Sequence, residues 1–286
     1  MIDIIYRYDP AVHSPLAAPT SPAEARKRLC DGNRAFIGLV DLPTGGERST
    51  RIIPFDLSEM GVASADGAAP RQQPFAVVLG CSDARAPTEL IFSQACNSLF
   101  VVRVAGNVLG NECLGSIDYA VQHLGDNLKL LVVLGHSGCG AVTAAVDTFL
   151  DPARYLAVAN SQALRSIVDG LLLAVRAAAA SFEHAHGKDA PKAAGYRAAL
   201  IETAVSLNAA MTAKTLQHEF RDADANKVEI VYGVYHLVSR EVDLLCADGY
   251  DGNPHLYAPP ANEDEFRQLG IQLAGCAEIV KMLHAK

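Results

Sequence analysis

Basic residues are scarce in this sequence: 24 Lys and Arg stand against 32 Asp and Glu among 286 residues, a net charge of −8. A chain of that sign lacks the electrostatic footprint of a general nucleic-acid binder, so no nucleic-acid partner is expected. No apolar run reaches the roughly 18 residues that a membrane helix needs. The longest candidate, Leu171 to Ala180, is interrupted by Arg176, and no membrane association is expected. The opening MIDIIYRYDP has no basic start followed by an apolar stretch, as a secretory signal would, so the expected location is cytoplasmic. There is no internal repeat and no tryptophan. Nucleotide binding lacks its fingerprints too. One Gly-rich turn reads G-x-x-G-x-G at 135–140, but neither G-x-G-x-x-G at a strand end nor G-x-x-x-x-G-K-[ST] anywhere is found. The seven cysteines are an odd number, which disfavours a disulfide framework and leaves metal binding, catalysis or plain burial.

What is present is globular: half the residues are apolar and 20% are charged. The reading is a single domain over 1–286. Residues 1–20 read as an extended arm, and Ser21-Pro22-Ala23-Glu24 is a capping box that starts a helix running to about Phe36. Together they form an N-terminal arm and helix over 1–40. Residues 40–74 are rich in Pro, Gly, Ser and Asp and read mostly as loop, flexible around Gly61 to Pro70. Four short apolar runs follow, at 75–80, 99–104, 129–134 and 228–234. They barely alternate, as strands buried on both faces do in parallel sheets. Helices are expected between them at Pro87–Cys96, Gly115–Leu124 and Ala141–Leu150, with long Ala- and Leu-rich stretches at 153–183 and 196–219.

The expected fold class is α/β: a mainly parallel central β-sheet flanked by helices, an N-terminal helical arm, and a helical insertion before the last core strand. The core would span 72–150 and 227–245, the insertion 151–200, and a C-terminal extension 247–286. The insertion would be a hairpin with a polar turn near His184 to Lys188. The extension would be a loop to 262 and one amphipathic helix over 263–284.

Two of the apolar runs end alike, in Gly80-Cys81-Ser82-Asp83-Ala84-Arg85 and in Gly135-His136-Ser137-Gly138-Cys139-Gly140. Ligands of open α/β sheets bind beyond the carboxyl ends of strands, and neighbouring parallel strands would bring the two clusters together. Cys81, His136 and Cys139 are then a Cys/His/Cys set. Three such ligands with one open position suit a catalytic zinc. Cys139 also opens a helix, whose positive end favours thiolate. Asp83 and Arg85 would supply a carboxylate fixed beside the metal; alternatively they are a helix cap and a surface ion pair.

These residues carry a resemblance. CSDAR at 81–85, APTELIF after it, FVVRVAGN at 100–107, SIDYAVQHLG at 116–125 and VVLGHSGCG at 132–140 strongly resemble the β-class carbonic anhydrases. The likeness is close over about 72–150 and looser over 21–36 and 227–245. It implies Zn²⁺ on Cys81, His136 and Cys139, with Asp83 and Arg85 as the dyad beside the nucleophilic hydroxide. The implied activity is reversible hydration of CO₂ to bicarbonate and a proton. In one branch of the family a glutamine matching Gln72 reaches the substrate from the partner subunit, and Phe100, Ala105 and Tyr119 fall where that branch lines an apolar CO₂ pocket. Gly106 would allow close backbone approach. The absence of tryptophan implies the branch without an inhibitory bicarbonate site. Members can also adopt a closed form in which the Asp itself ligates zinc. The resemblance implies a homodimer or a multiple of dimers, with the N-terminal helix lying across the neighbour.

Ala105 is smaller than the valine often found there, which keeps COS or CS₂ hydrolysis open as an alternative. A catalytically silent zinc-binding protein is another. His123 reads as structural and His184 and His186 as solvated loop residues.

Overall fold

The computed structural model describes residues 2–8, 17–40, 49–60, 69–221, 228–244 and 254–285. In chain order the elements are β1 (Ile2–Arg7), α1 (Pro22–Val40), β2 (Ser49–Pro54), β3 (Ala76–Gly80), α2 (Thr88–Ile91), β4 (Leu99–Arg103), α3 (Asn111–His123), β5 (Leu130–His136), α4 (Gly140–Leu150), α5 (Tyr155–Ala159), α6 (Gln162–His186), α7 (Tyr196–Glu219), β6 (Glu229–Tyr235), β7 (Val242–Asp243), α8 (Glu263–Gly275) and α9 (Ala277–Leu283).

The main sheet has the order β4-β3-β5-β6-β7, with β4, β3, β5 and β6 parallel and β7 antiparallel to β6. Along β3 and β5 the side chains alternate between two buried faces. Ala76, Val78, Leu130 and Val132 pack under α1 and α2, against Ala25, Leu29, Ile91 and Phe92. Val77, Leu79, Leu131 and Val133 face the other side, with Ile117 of α3, Val142 of α4 and Val205 of α7. Both faces are covered, so apolar residues occupy successive positions. That is the pattern of the four runs, and the α/β expectation holds.

Helix α7 lies against β5 and β6 and is enclosed on its other sides by α4, α6, α8 and α9. Its small residues, among them Ala199, Ala204, Ala209, Ala210 and Ala213, are fully buried. A helix covered all round carries apolar residues all round. The insertion expected over 151–200 holds short α5 and the single long helix α6, which packs on α4, α7 and α8, in place of a hairpin, and α7 after it is a core helix. Helix α6 runs through His186 and ends at Gly187, whose φ of +81° only glycine adopts freely.

Several boundaries differ from expectation. The arm before residue 20 contains β1, and the loop region contains β2; the two pair in parallel as a separate sheet. The helix expected over Pro87–Cys96 shrinks to the four residues of α2 because the chain turns at Ser93 and Asn97, which take φ of 48° and 62°. The expected terminal helix breaks at Cys276, where ψ of 156° leaves the helical region. Cys276 is disulfide-bonded, which the odd cysteine count did not suggest. Residues 61–68 and 245–253, on which parts of the loop expectations fall, lie outside the described residues.

The capping box forms in part. Ser21 Oγ accepts from the Glu24 N–H at 3.2 Å, but the Glu24 carboxylate reaches back to the N–H of Thr20 at 2.8 Å, not to that of Ser21. Helix α1 packs on its own sheet. Buried Asn33 ties it there, donating to the Ile91 and Arg240 carbonyls and accepting from the Val242 N–H. The fit is tight at Gly32, where a Cβ would stand 1.9 Å from the Phe92 carbonyl oxygen. Gly32→Ala is expected to cost about 3 kcal/mol, the upper end for overpacking, because backbone must move. Denaturant unfolding measures this, and an unchanged midpoint would remove α1 from this seat.

Candidate metal centre

β3 and β5 are adjacent, with Gly80 opposite Leu134, so their carboxyl ends open at one edge. The chain leaves β3 to one side for β4 and returns on the other for β5, which makes this edge the switch point where α/β sheets place ligands. Cys81 follows β3, His136 ends β5, and Cys139 caps α4.

The structure brings these three together. Their ligand atoms lie within 4.8 Å of one another, and all three residues are buried. They form the sole such His/Cys/Asp/Glu group among the described residues. The sulfurs of Cys81 and Cys139 are 4.0 Å apart. His136 sets Nδ1 3.0 Å from the Ser137 carbonyl, to which it donates as the Nδ1–H tautomer. That leaves the Nε2 lone pair buried and without a hydrogen bond of normal geometry, beside the Cys81 sulfur and 3.8 Å from Asp83 Oδ2. A buried acceptor left unpaired costs free energy, so its persistence needs a reason, and a cation supplies one. Tetrahedral zinc with bonds near 2.3 Å to sulfur would hold two sulfurs about 3.8 Å apart, close to the spacing seen.

The two thiols share protons unequally. The hydrogen bond from Cys139 pulls the Cys81 thiol well below its usual range, against burial, with help from His136 and the backbone N–H groups of Asp83 and Gly106. Cys139 is pushed up by the same bond and by burial. The N–H groups of Ala141 and Val142 at the start of α4 do pull it down, as expected of a helix start, but they are outweighed. For His136, burial opposes the charge, yet the Cys81 sulfur and the Asp83 carboxylate raise its pKa overall.

Asp83 and Arg85 form a hydrogen-bonded ion pair. Asp83 Oδ1 accepts from the Arg85 N–H and Nε, both at 2.9 Å, and Oδ2 accepts from Nη2 at 2.7 Å. These bonds, the guanidinium first, hold the carboxyl well below the usual carboxylate range despite some burial. Oδ2 lies 3.8 Å from His136 Nε2, so the ionised carboxylate looks onto the cluster.

Three supports around the cluster, Arg103, Glu202 and Asn208, escaped the sequence reading, whereas Gly106 and Ala105 were singled out there. Arg103, at the end of β4, donates through Nε to the Cys81 carbonyl at 2.8 Å and through Nη2 to the Asp83 carbonyl. Gly106 N–H donates to Cys81 Sγ at 3.3 Å, and Ala105 stands beside it in a short turn, Ala105–Asn107. Asn208 of α7 donates to the Gly106 carbonyl at 2.9 Å, and Glu202 accepts from the Gly138 N–H at 2.9 Å. A signal existed: Asn208 is a polar residue inside an Ala-rich run, where helix propensity gives it no reason to be.

Gln72, Phe100 and Tyr119 do not join the cluster within this chain. Phe100 stands opposite Val77, four residues before Cys81. At roughly 3.3 Å per residue that is about 13 Å down the strand, toward its other end. Gln72 and Phe100 share a cleft of about 320 Å³ with Arg71 and Asn97, and the Phe100 ring lies 6.5 Å from that of Tyr119. His123 is exposed, with its ring 4.9 Å from that of Tyr119. Neither His184 nor His186 is a loop residue, since both lie in α6; His186 ends it, stacks on Phe182 and contacts the Ala274 carbonyl at 2.8 Å. His184 is exposed at a cleft of about 820 Å³ between α6, α7 and α8, whose lining includes no residue of the metal cluster.

A family model described as carbonic anhydrase matches residues 76–242, more than half of the chain. The chain belongs to the β-class carbonic anhydrase family. Its matched region begins with β3 and ends in β7, so it contains all the cluster residues. The chain is 41% identical to carbonic anhydrase 2 of Mycobacterium tuberculosis over 133 residues, which is 46% of this chain and 56% of that protein. It is 40% identical to the carbonic anhydrase of Mycolicibacterium smegmatis over 128 residues, 45% of this chain and 54% of that one. The chain thus spans a little over half the length of these relatives. The carbonic anhydrase of Pseudomonas aeruginosa is 29% identical over 211 residues, 71% of this chain and 84% of its own. A tetrameric β-carbonic anhydrase of Sordaria macrospora superposes with a TM-score of 0.47 at 21% identity, covering 61% of this chain and 82% of its own. Among the described residues, no helix is long and apolar enough to cross a membrane.

Proposed function

We propose that this chain catalyses the reversible hydration of CO₂ to bicarbonate and a proton, with zinc held by Cys81, His136 and Cys139. The observation that carries this reading is the buried, unpartnered His136 Nε2 facing two sulfurs, beside an Asp83 carboxylate fixed by Arg85. When bound, zinc supplies a fourth position at which water ionises near neutral pH, with a pKa of about 7.

Asp83 directs the nucleophile. Its carboxylate is already ionised, so it accepts the remaining O–H of the nucleophile at Oδ2 and aims the free lone pair at the CO₂ carbon. Arg85 donates twice to Oδ1 and once to Oδ2, and Oδ2 is the oxygen turned to the cluster. Two thiolates cancel the charge of a divalent ion, so its pull on water is weaker than with three imidazoles, and an oriented carboxylate compensates. Arg103 fixes the 81–83 backbone beneath the dyad. Stopped-flow CO₂ hydration on a sample of measured zinc content tests the reading. Turnover should scale with zinc and exceed that of COS and CS₂; a zinc-loaded protein without hydration overturns it.

The site also calls for a second copy. Gln72, Phe100 and Tyr119 can meet the metal half only if a partner brings them across its open edge. We propose a homodimer, or a multiple of dimers, in which each site joins the metal half of one chain to the apolar half of the other. Asp83→Asn and Gln72→Ala variants should each be poorly active alone. Unfolding and refolding them together should restore roughly a quarter of wild-type turnover, because half the dimers are mixed and each mixed dimer has one intact site. A mixture no better than its parents excludes the shared site.

A further inference from the structure

Asn208 is 4% exposed and sits in the middle of α7, a position where asparagine weakens a helix relative to the alanines around it. Its side chain makes one tertiary bond of note, from Nδ2 to the Gly106 carbonyl at 2.9 Å. Gly106 is itself tightly confined. Its φ is +64°, and a Cβ there would meet Leu171 at 3.0 Å and Ala141 at 3.1 Å. The N–H of this same residue donates to Cys81 Sγ at 3.3 Å. Gly106 thus links a buried amide on α7 to a buried sulfur of the metal cluster.

We infer that Asn208 is a positioning residue that tunes the metal site through Gly106: it holds the 105–107 turn so that the Gly106 N–H stays on Cys81 Sγ. This rests on the metal reading above. The physical consequence is electronic. A hydrogen bond to a ligating thiolate draws electron density from sulfur, stabilises its charge and weakens its donation to the metal. Without Asn208 the Gly106 carbonyl loses its buried partner and the turn relaxes. Cys81 then becomes the more electron-rich sulfur, and its orientation is less fixed.

The test has two parts. In the intact ¹¹³Cd-substituted wild-type protein, the Gly106 amide proton should show scalar coupling to ¹¹³Cd through Cys81 Sγ, a measurement that needs no variant. In Co²⁺-substituted protein, Asn208→Leu, which keeps the branched side-chain shape without the polar atoms, should move the sulfur-to-cobalt charge-transfer band to longer wavelength. Asn208→Ser, which keeps a donor, should move it less. Zinc affinity by chelator competition should fall by about 10- to 100-fold in the leucine variant, as for other outer-shell changes, because the lost orientation of Cys81 and the lost stabilisation of its thiolate outweigh the stronger donation. A role confined to packing would lower the melting temperature and leave the band where it was. Metal uptake with no ¹¹³Cd coupling, or with an unmoved band in folded Asn208→Leu, overturns this inference alone. Failure of the wild-type chain to take up any of the three ions overturns the metal reading and this one with it.

Discussion

Asp83→Asn should keep its zinc and lose nearly all CO₂ hydration, with turnover falling by about 10²- to 10⁴-fold, the range for removing a positioned acid or base group. The carboxylate lies outside the group of three converging ligand atoms, so metal content should not change. Asparagine has nearly the same shape, but it offers one acceptor oxygen and one NH₂ where the carboxylate offered two acceptors. Arg85 presents N–H donors to both positions. The amide therefore keeps one bond and turns a donor either on the guanidinium or on the nucleophile. In the first case the dyad splays; in the second the nucleophile meets the wrong partner. Stability should change little, because Arg85 is 60% exposed and water can take over its charge. Stopped-flow turnover, zinc analysis and a melting curve on one preparation separate these effects. A fully active Asp83→Asn would remove the dyad from the mechanism. Inactivity with zinc lost as well would make Asp83 a ligand.

The site was legible in the sequence to the extent that short-range chemistry defines it. Cys81, Asp83, Arg85, His136 and Cys139 lie in two segments that directly follow buried strands, and parallel pairing of β3 with β5 was enough to join them. The residues that hold those segments were not legible for the opposite reason. Arg103 acts across β4, Glu202 and Asn208 act from α7, and each bonds a backbone group with no sequence signature of its own. The half-site problem is of the same kind. Phe100 and Tyr119 could be assigned to a pocket, but only the strand register shows that they face the other end of the sheet. Elements failed where tertiary contacts override local pattern. β1 and β2 pair with each other from segments that read as arm and loop. Helix α7 has no polar face along its middle by which to find its orientation, since residues 203–210 are all buried.

Cys139→Ser should leave the protein folded and nearly free of zinc. Serine is close in size, and the backbone of residue 139 keeps its place in α4, where its carbonyl accepts from the Thr143 N–H at 2.9 Å. The hydroxyl stays protonated near neutral pH and is a poor zinc ligand, whereas metal binding requires a deprotonated sulfur. Affinity should therefore drop by more than the ~10- to 100-fold that outer-shell changes cost. Cys81→Ser should be no better tolerated, since it removes the other sulfur of the set and also strands the Gly106 N–H. Zinc per chain after dialysis against a weak chelator, read beside a circular dichroism spectrum, measures the outcome. Zinc retained at one per folded chain in Cys139→Ser would strike Cys139 from the ligands and leave the orphaned His136 Nε2 in need of another explanation.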